Sequence, residues 1–135
     1  MTRKNNFMGN VLIVDDDKDV LQTLESILSD RGFKVQTISD QEDIYETILV
    51  FEPNVILLDV YLKNSDGRNI CMGLKSHYKT KNIPVILFSG DNQLKNNYSE
   101  YHAEGFVEKP VRVKALIKRL KDYTYKGKNS NQRTA

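Results

Sequence analysis

The chain has 135 residues, 39% of them hydrophobic, which is enough for one buried core and too few for two ordinary domains. Five of its 20 basic residues lie in 1–9 and 126–135, where there is no acid, so residues 10–125 sum to −3 and the overall +2 argues weakly for a nucleic-acid partner. The lone Cys71 excludes an intramolecular disulfide, and the apolar run Val11 to Val14 is too short for a signal core or a membrane span, so the protein reads as cytoplasmic.

Val11 to Val14 form a continuous apolar run closed by Asp15, as expected of a strand buried on both faces. A helix follows, with Val20, Leu21, Leu24, Ile27 and Leu28 at helical spacing, acids at its start and Gly32 to end it. Phe33, Val35 and Thr37 alternate, which predicts an edge strand. Ser39 with Glu42 is a capping box for a second helix that carries Ile44, Ile48 and Phe51 on one face and stops at Pro53 and Asn54. Val55 to Leu58 is the most apolar strand and is expected at the centre of the sheet. Asp66-Gly67 is a turn, after which Ile70, Cys71 and Leu74 begin a third helix.

Pro84 opens the next strand, Val85 to Phe88, where a missing N–H is tolerated. Gln93 to His102 reads as a weak, polar fourth helix and Gly105 to Val107 as a short fifth strand. Val113, Leu116, Ile117 and Leu120 mark a last helix. The segment KGKNSNQRTA lacks an apolar anchor and is expected to be disordered. The organisation is therefore a flexible segment 1–9, one domain over 10–125 and a polar, basic tail 126–135. Five strands alternating with five helices specify an α/β fold, a parallel sheet with helices on both faces, without fixing the strand order.

Three segments place charge at strand ends: VLIVDDD, VILLDV and FVEKP, the last supplying Lys109. An α/β sheet gathers those ends at one edge, where ligands bind. Carboxylates about 4 Å apart repel by roughly 4 kcal/mol per pair at an effective dielectric near 20, so a cluster of them must take up a proton or a cation. With oxygen ligands and no His or Cys beside them, the fitting cation is Mg²⁺ or another small divalent ion such as Mn²⁺. Each motif alone has a bland reading, because acids after a strand are most often a solvated helix N-terminus and a single Lys-Pro means almost nothing. Together, in this order and at these strand ends, they leave that reading little room.

The set resembles the receiver domain of bacterial two-component response regulators, over about Asn10 to Tyr123. Asp15 and Asp16 match the family's acidic pair, Asp59 its phosphoacceptor, Ser89 its hydroxyl position, Phe106 its aromatic switch position and Lys109 its lysine, followed by Pro110. The resemblance implies a five-stranded parallel sheet of order 2-1-3-4-5, a flavodoxin-like doubly wound (βα)5 fold in which Asp15, Asp16 and Asp59 converge. It implies that Asp16 and Asp59 ligate Mg²⁺ or Mn²⁺ directly, that Asp15 acts mostly through water, and that the backbone carbonyl of Tyr61 adds a ligand. Asp59 would accept a phosphoryl group whose oxygens Lys109 and Ser89 bind.

The implied partners are a sensor histidine kinase or a histidine phosphotransfer protein as donor, and a downstream protein met by the surface of the last two helices and the fifth strand. The chain would be a monomer or a phosphorylation-dependent dimer, with no membrane and no direct nucleic-acid contact. It would act as a switch that assists only its own phosphorylation and dephosphorylation.

Some positions depart from the family pattern. Lys63 and Asn64 stand where a proline is common, Ser89 and Phe106 replace the commoner threonine and tyrosine, and Val111 replaces an aromatic. Tyr61 and Asp91 occupy positions that in this family influence phosphoryl lifetime. A Mg²⁺-dependent phosphatase of the haloacid dehalogenase type is the alternative enzyme, but it needs a second acid where Tyr61 stands. A receiver-shaped scaffold that is never phosphorylated is disfavoured because every required site residue is present. His77 and His102 lie in polar stretches and are expected at the surface.

Overall fold

The computed structural model describes residues 7–40 and 43–134. Its five strands are β1 (Gly9–Val14), β2 (Phe33–Ile38), β3 (Val55–Asp59), β4 (Val85–Ser89) and β5 (Gly105–Glu108). All pair in parallel, in the order β2-β1-β3-β4-β5, the order implied by the family resemblance. The α-helices are α1 (Lys18–Asp30), α2 (Ile44–Phe51), α3 (Gly67–Ser76) and α4 (Val113–Thr134).

Side-chain alternation along the strands builds two cores. Val11, Ile13, Leu57, Ile86 and Phe88 face one side with Leu21, Leu24 and Leu28 of α1 and Leu116 and Leu120 of α4. Leu12, Val14, Ile56, Leu58 and Leu87 face the other, with Ile44 and Ile48 of α2 and Cys71 and Leu74 of α3. β1, β3 and β4 are sealed on both faces, which is why their sequences are unbroken apolar runs, and each such side chain contributes about 1.5–3 kcal/mol of burial. The more alternating β2 sits at the sheet edge, as its sequence predicts.

Local signals hold where they are strong. Asp17 caps α1 by accepting from the Asp19 and Val20 amides, and Gly32 takes φ +94° just past the end of that helix. Asp66 caps α3 by accepting from the Arg68 amide. Glu42 of the expected capping box lies outside the described residues, and α2 starts at Ile44 without a side-chain cap.

Two expectations change. The predicted fourth helix over Gln93 to His102 is instead two short 3₁₀ segments, Asn92–Asn96 and Tyr98–Tyr101, so the described residues hold four α-helices rather than five. Asparagines at 92, 96 and 97 disfavour a helix interior, and Leu94 is the single buried residue in the two segments, too little to anchor an α-helical face. α4 runs on to Thr134, so the backbone of 126–134 is helical where the sequence reading expects a disordered tail. Lys, Gln and Arg propagate a helix well once the anchored part has nucleated it. Residues 1–6 of the expected flexible N-terminal segment, and residue 135, lie outside the described residues, whereas β1 already begins at Gly9. Among the described residues no helix is long and apolar enough to cross a membrane.

Candidate functional site

The register of the sheet assembles the site. Val14 pairs with Leu58, so Asp15 and Asp59 leave neighbouring strands at the same level. Asp59 pairs with Phe88, which places Ser89 one step further along β4, and the Lys109 amide donates to the Ser89 carbonyl at 2.9 Å. Order reversal between β1 and β3 opens the crevice in which these strand ends meet.

The acids after β1 divide the work by position. Asp15 is buried, accepts from the Asp17 amide at 2.9 Å and receives Lys109 Nζ on Oδ2 at 3.0 Å. Asp16 sits half-buried at the rim and accepts from the Lys63 amide at 2.6 Å, tying the loop after β3 to the loop after β1. Asp17 is the helix cap described above, accepting from the Asp19 and Val20 amides, and is not one of the clustered carboxylates. Asp15, Asp16 and Asp59 each offer a carboxylate oxygen, and these oxygens lie within 4.8 Å of one another. Three hard anionic ligands this close fit a small divalent cation.

Asp59 is only 4% exposed, and Lys109 Nζ reaches its Oδ1 at 3.3 Å. Burial, then the charge of Asp15, pushes its pKa up, and the Lys109 charge and hydrogen bond pull it part of the way back, leaving it at about 6. Burial also acts to lower the Lys109 pKa, but the hydrogen bond and charge of Asp15, followed by those of Asp59, outweigh it and the ammonium is held above its ordinary value. The lysine also lies over the ring of Phe88, 4.6 Å from the centroid.

Ser89 is buried at the end of β4, and its Oγ accepts from the Asp91 amide at 3.0 Å. Phe106 is turned inward: it pairs with Leu87, two residues before Ser89 on the same sheet face, and packs in the core with Leu94 and Ala103. Tyr61 is exposed, bridges Asp66 through its backbone, and donates its hydroxyl to Asp91 Oδ2 at 2.7 Å. Arg68 forks onto Asp66 and lies over the rings of both Tyr61 and Tyr101. The structure thus gathers Asp15, Asp16, Asp59 and Lys109 into one cluster, with Ser89 on the next strand, Tyr61 at the rim and Phe106 one layer below.

Two residues that shape the site escape the sequence reading. Gly67, read only as part of a turn, starts α3 against the strand end, where a Cβ would overlap the Asp59 carbonyl. Phe88 looks like one more apolar strand residue, and only the register beside Asp59 reveals its contact with Lys109.

The family model of the response regulator receiver domain matches residues 11–121. The chain belongs to the response regulator receiver family. This receiver is 29% identical over 114 residues to the transcriptional regulatory protein GltR of Pseudomonas aeruginosa, a match covering 83% of this chain and 47% of that protein. It is 29% identical over 122 residues to protein RcaC of Microchaete diplosiphon, covering 89% of this chain and 19% of that protein. The receiver therefore spans about half the length of one of these relatives and about a fifth of the other. Among solved structures, the receiver domain of a signal transduction histidine kinase from Syntrophus aciditrophicus superposes with a TM-score of 0.77 at 26% identity, over 87% of this chain and 90% of that one.

Proposed function

We propose that this receiver takes a phosphoryl group on Asp59 from a phosphohistidine in a sensor histidine kinase or a histidine phosphotransfer protein, and passes the change to a partner protein. The observation that carries the reading is Asp59 itself, a buried carboxylate at the end of the central strand, held among Asp15, Asp16 and Lys109. A Mg²⁺ or Mn²⁺ ion held by Asp15, Asp16, Asp59 and the Tyr61 carbonyl would supply neutralising charge for the incoming phosphoryl oxygens. Asp59 Oδ attacks phosphorus in line; the P–O bond forms as the P–N bond breaks, and the imidazole leaves with the electron pair and takes up a proton.

Lys109 needs only a short swing from Asp59 Oδ1 to meet a phosphoryl oxygen. The Ser89 hydroxyl, released from the Asp91 amide, donates to another oxygen in a water-poor corner. That movement leaves space beside Phe106 and alters the face made by the 3₁₀ segments, β5 and α4. The receiver acts on its own aspartate and turns over no outside substrate, and it works in the cytoplasm where its donor is found.

The test is incubation with acetyl phosphate with and without Mg²⁺, followed by mass spectrometry. One acid-stable, base-labile adduct is expected, dependent on the cation and absent from Asp59→Asn. Equal labelling of that variant overturns the assignment.

A further inference from the structure

Three groups hold the Lys109 ammonium: Asp15 Oδ2 at 3.0 Å, Asp59 Oδ1 at 3.3 Å and the face of Phe88, 4.6 Å from the ring centroid. Two of the three are carboxylates that also belong to the candidate cation site. A divalent ion there draws on the same oxygen electron pairs and adds positive charge beside the ammonium, so both polar tethers weaken when the site is loaded. The ring is different. Its negative π-face attracts a cation without ligating a hard metal, and Phe88 is fully buried, fixed by the strand register beside Asp59.

We propose that Phe88 is the contact that keeps the Lys109 ammonium in place once a cation occupies the carboxylates, which makes it a positioning residue for phosphoryl transfer. The proposal rests on the reading of Asp59 as the phosphoryl acceptor. Lysine has a long flexible stem, and without the ring the loaded site would let it swing out to water. Every molecule in which it has swung out is lost to anion binding, so apparent affinity falls with the fraction in place. A leucine at 88 would remain apolar but offer no attraction to the ammonium.

The test replaces Phe88 site-specifically with mono-, di- and trifluorinated phenylalanine, which keep the ring's shape while stepping down its negative face. At saturating Mg²⁺, beryllofluoride, an anionic mimic of the phosphoryl group, should bind progressively more weakly, by about tenfold at the trifluoro ring, equivalent to about 1.4 kcal/mol. Mg²⁺ affinity should stay constant through the series, because Lys109 is no metal ligand. In the unsubstituted receiver the Lys109 ε-methylene protons should keep an upfield ring-current shift when Mg²⁺ is added, and Phe88→Leu should abolish it.

A flat beryllofluoride series, or ε-proton shifts that move to the free-lysine position on Mg²⁺ addition, overturns the role of Phe88. Parallel losses of Mg²⁺ and beryllofluoride affinity overturn it too, since they report general distortion. If the unsubstituted receiver binds no beryllofluoride at all, the Asp59 reading itself fails and this proposal fails with it; normal binding with a flat series leaves that reading standing.

Discussion

Asp59→Asn should make the metal-free receiver more stable at neutral pH. Burial, followed by the charge of Asp15, raises the Asp59 pKa from its ordinary 3.8 to about 6 despite the opposing pull of Lys109. Between those two pH values the folded chain binds more protons at this group than the unfolded chain does, so the group's effect on stability worsens as pH rises through that window. Above about pH 6 the charged carboxylate carries the full cost, on the order of 3 kcal/mol at about 1.36 kcal/mol per pK unit. At 4% exposure, solvent screening takes little from that figure. Asparagine keeps the shape and removes the charge, and allowing for the lost pairing with Lys109 the net gain should be about 1–3 kcal/mol.

The assay is urea unfolding followed by circular dichroism, in chelator, from about pH 4 to about pH 8. The variant's advantage should be full near neutrality and shrink to a small remainder near pH 4, where the folded unsubstituted chain is protonated at this position and the unfolded chain is about half so. Saturating Mg²⁺ should narrow the gap, because the cation binds the native carboxylate cluster and stabilises the unsubstituted chain by mass action. A variant that is less stable at neutral pH, or an advantage that is the same at both ends of the range, would refute the electrostatic account of Asp59.

Asp16→Ala should weaken Mg²⁺ binding in calorimetric titration and, in chelator, leave the melting temperature level or higher, since it relieves repulsion; a large loss would make its bond to the Lys63 amide its main function. Gly67→Ala should lower the urea midpoint by the equivalent of about 1–3 kcal/mol with an unchanged m-value, because the new Cβ meets the Asp59 carbonyl, which is backbone and has little room to give. Beryllofluoride should shift amide NMR signals beyond residues 15, 16, 59, 89 and 109 into residues 91–120, where a tenfold change in partner affinity needs only about 1.4 kcal/mol between states. Shifts that stop at the five site residues would mark a relay that hands phosphate onward.

The strand-end acids are legible because the pattern is local: an apolar run sealed on both faces and closed by a carboxylate already fixes where the charge emerges. Strand order came from the family resemblance, since periodicity identifies strands and not their neighbours. What escaped depends on contacts across the sheet. Phe88 carries no local mark that separates it from Ile86 or Leu87, and Gly67 reads as a turn residue until α3 is seen against the end of β3. The segment after β4 is less legible, because its polar, asparagine-rich sequence gives only a weak helical period. Its actual shape is set by Leu94 entering the core, by Tyr101 packing at the core's edge, and by Asp91 joining Ser89 and Tyr61.

That segment and the site share one electrostatic problem. Three carboxylates cluster beside one ammonium, and at Asp59 burial followed by the charge of Asp15 outweighs the opposing pull of Lys109. Near neutral pH the metal-free fold therefore carries strain in its charges, and a proton, a cation or the conversion of Asp59 to an acyl phosphate would each relieve it by weakening the carboxylates' hold on Lys109. Ser89 is poised beside the same corner with its hydroxyl on the Asp91 amide, and Asp91 in turn caps the first 3₁₀ segment and accepts the Tyr61 hydroxyl. On the proposed reading, a change of partner at Ser89 would reach a short, sparsely anchored segment rather than an α-helix. On the proposed reading the charge imbalance would supply the drive, and the crossover between β4 and β5, whose two 3₁₀ segments bury only Leu94, would be the part of the fold that responds.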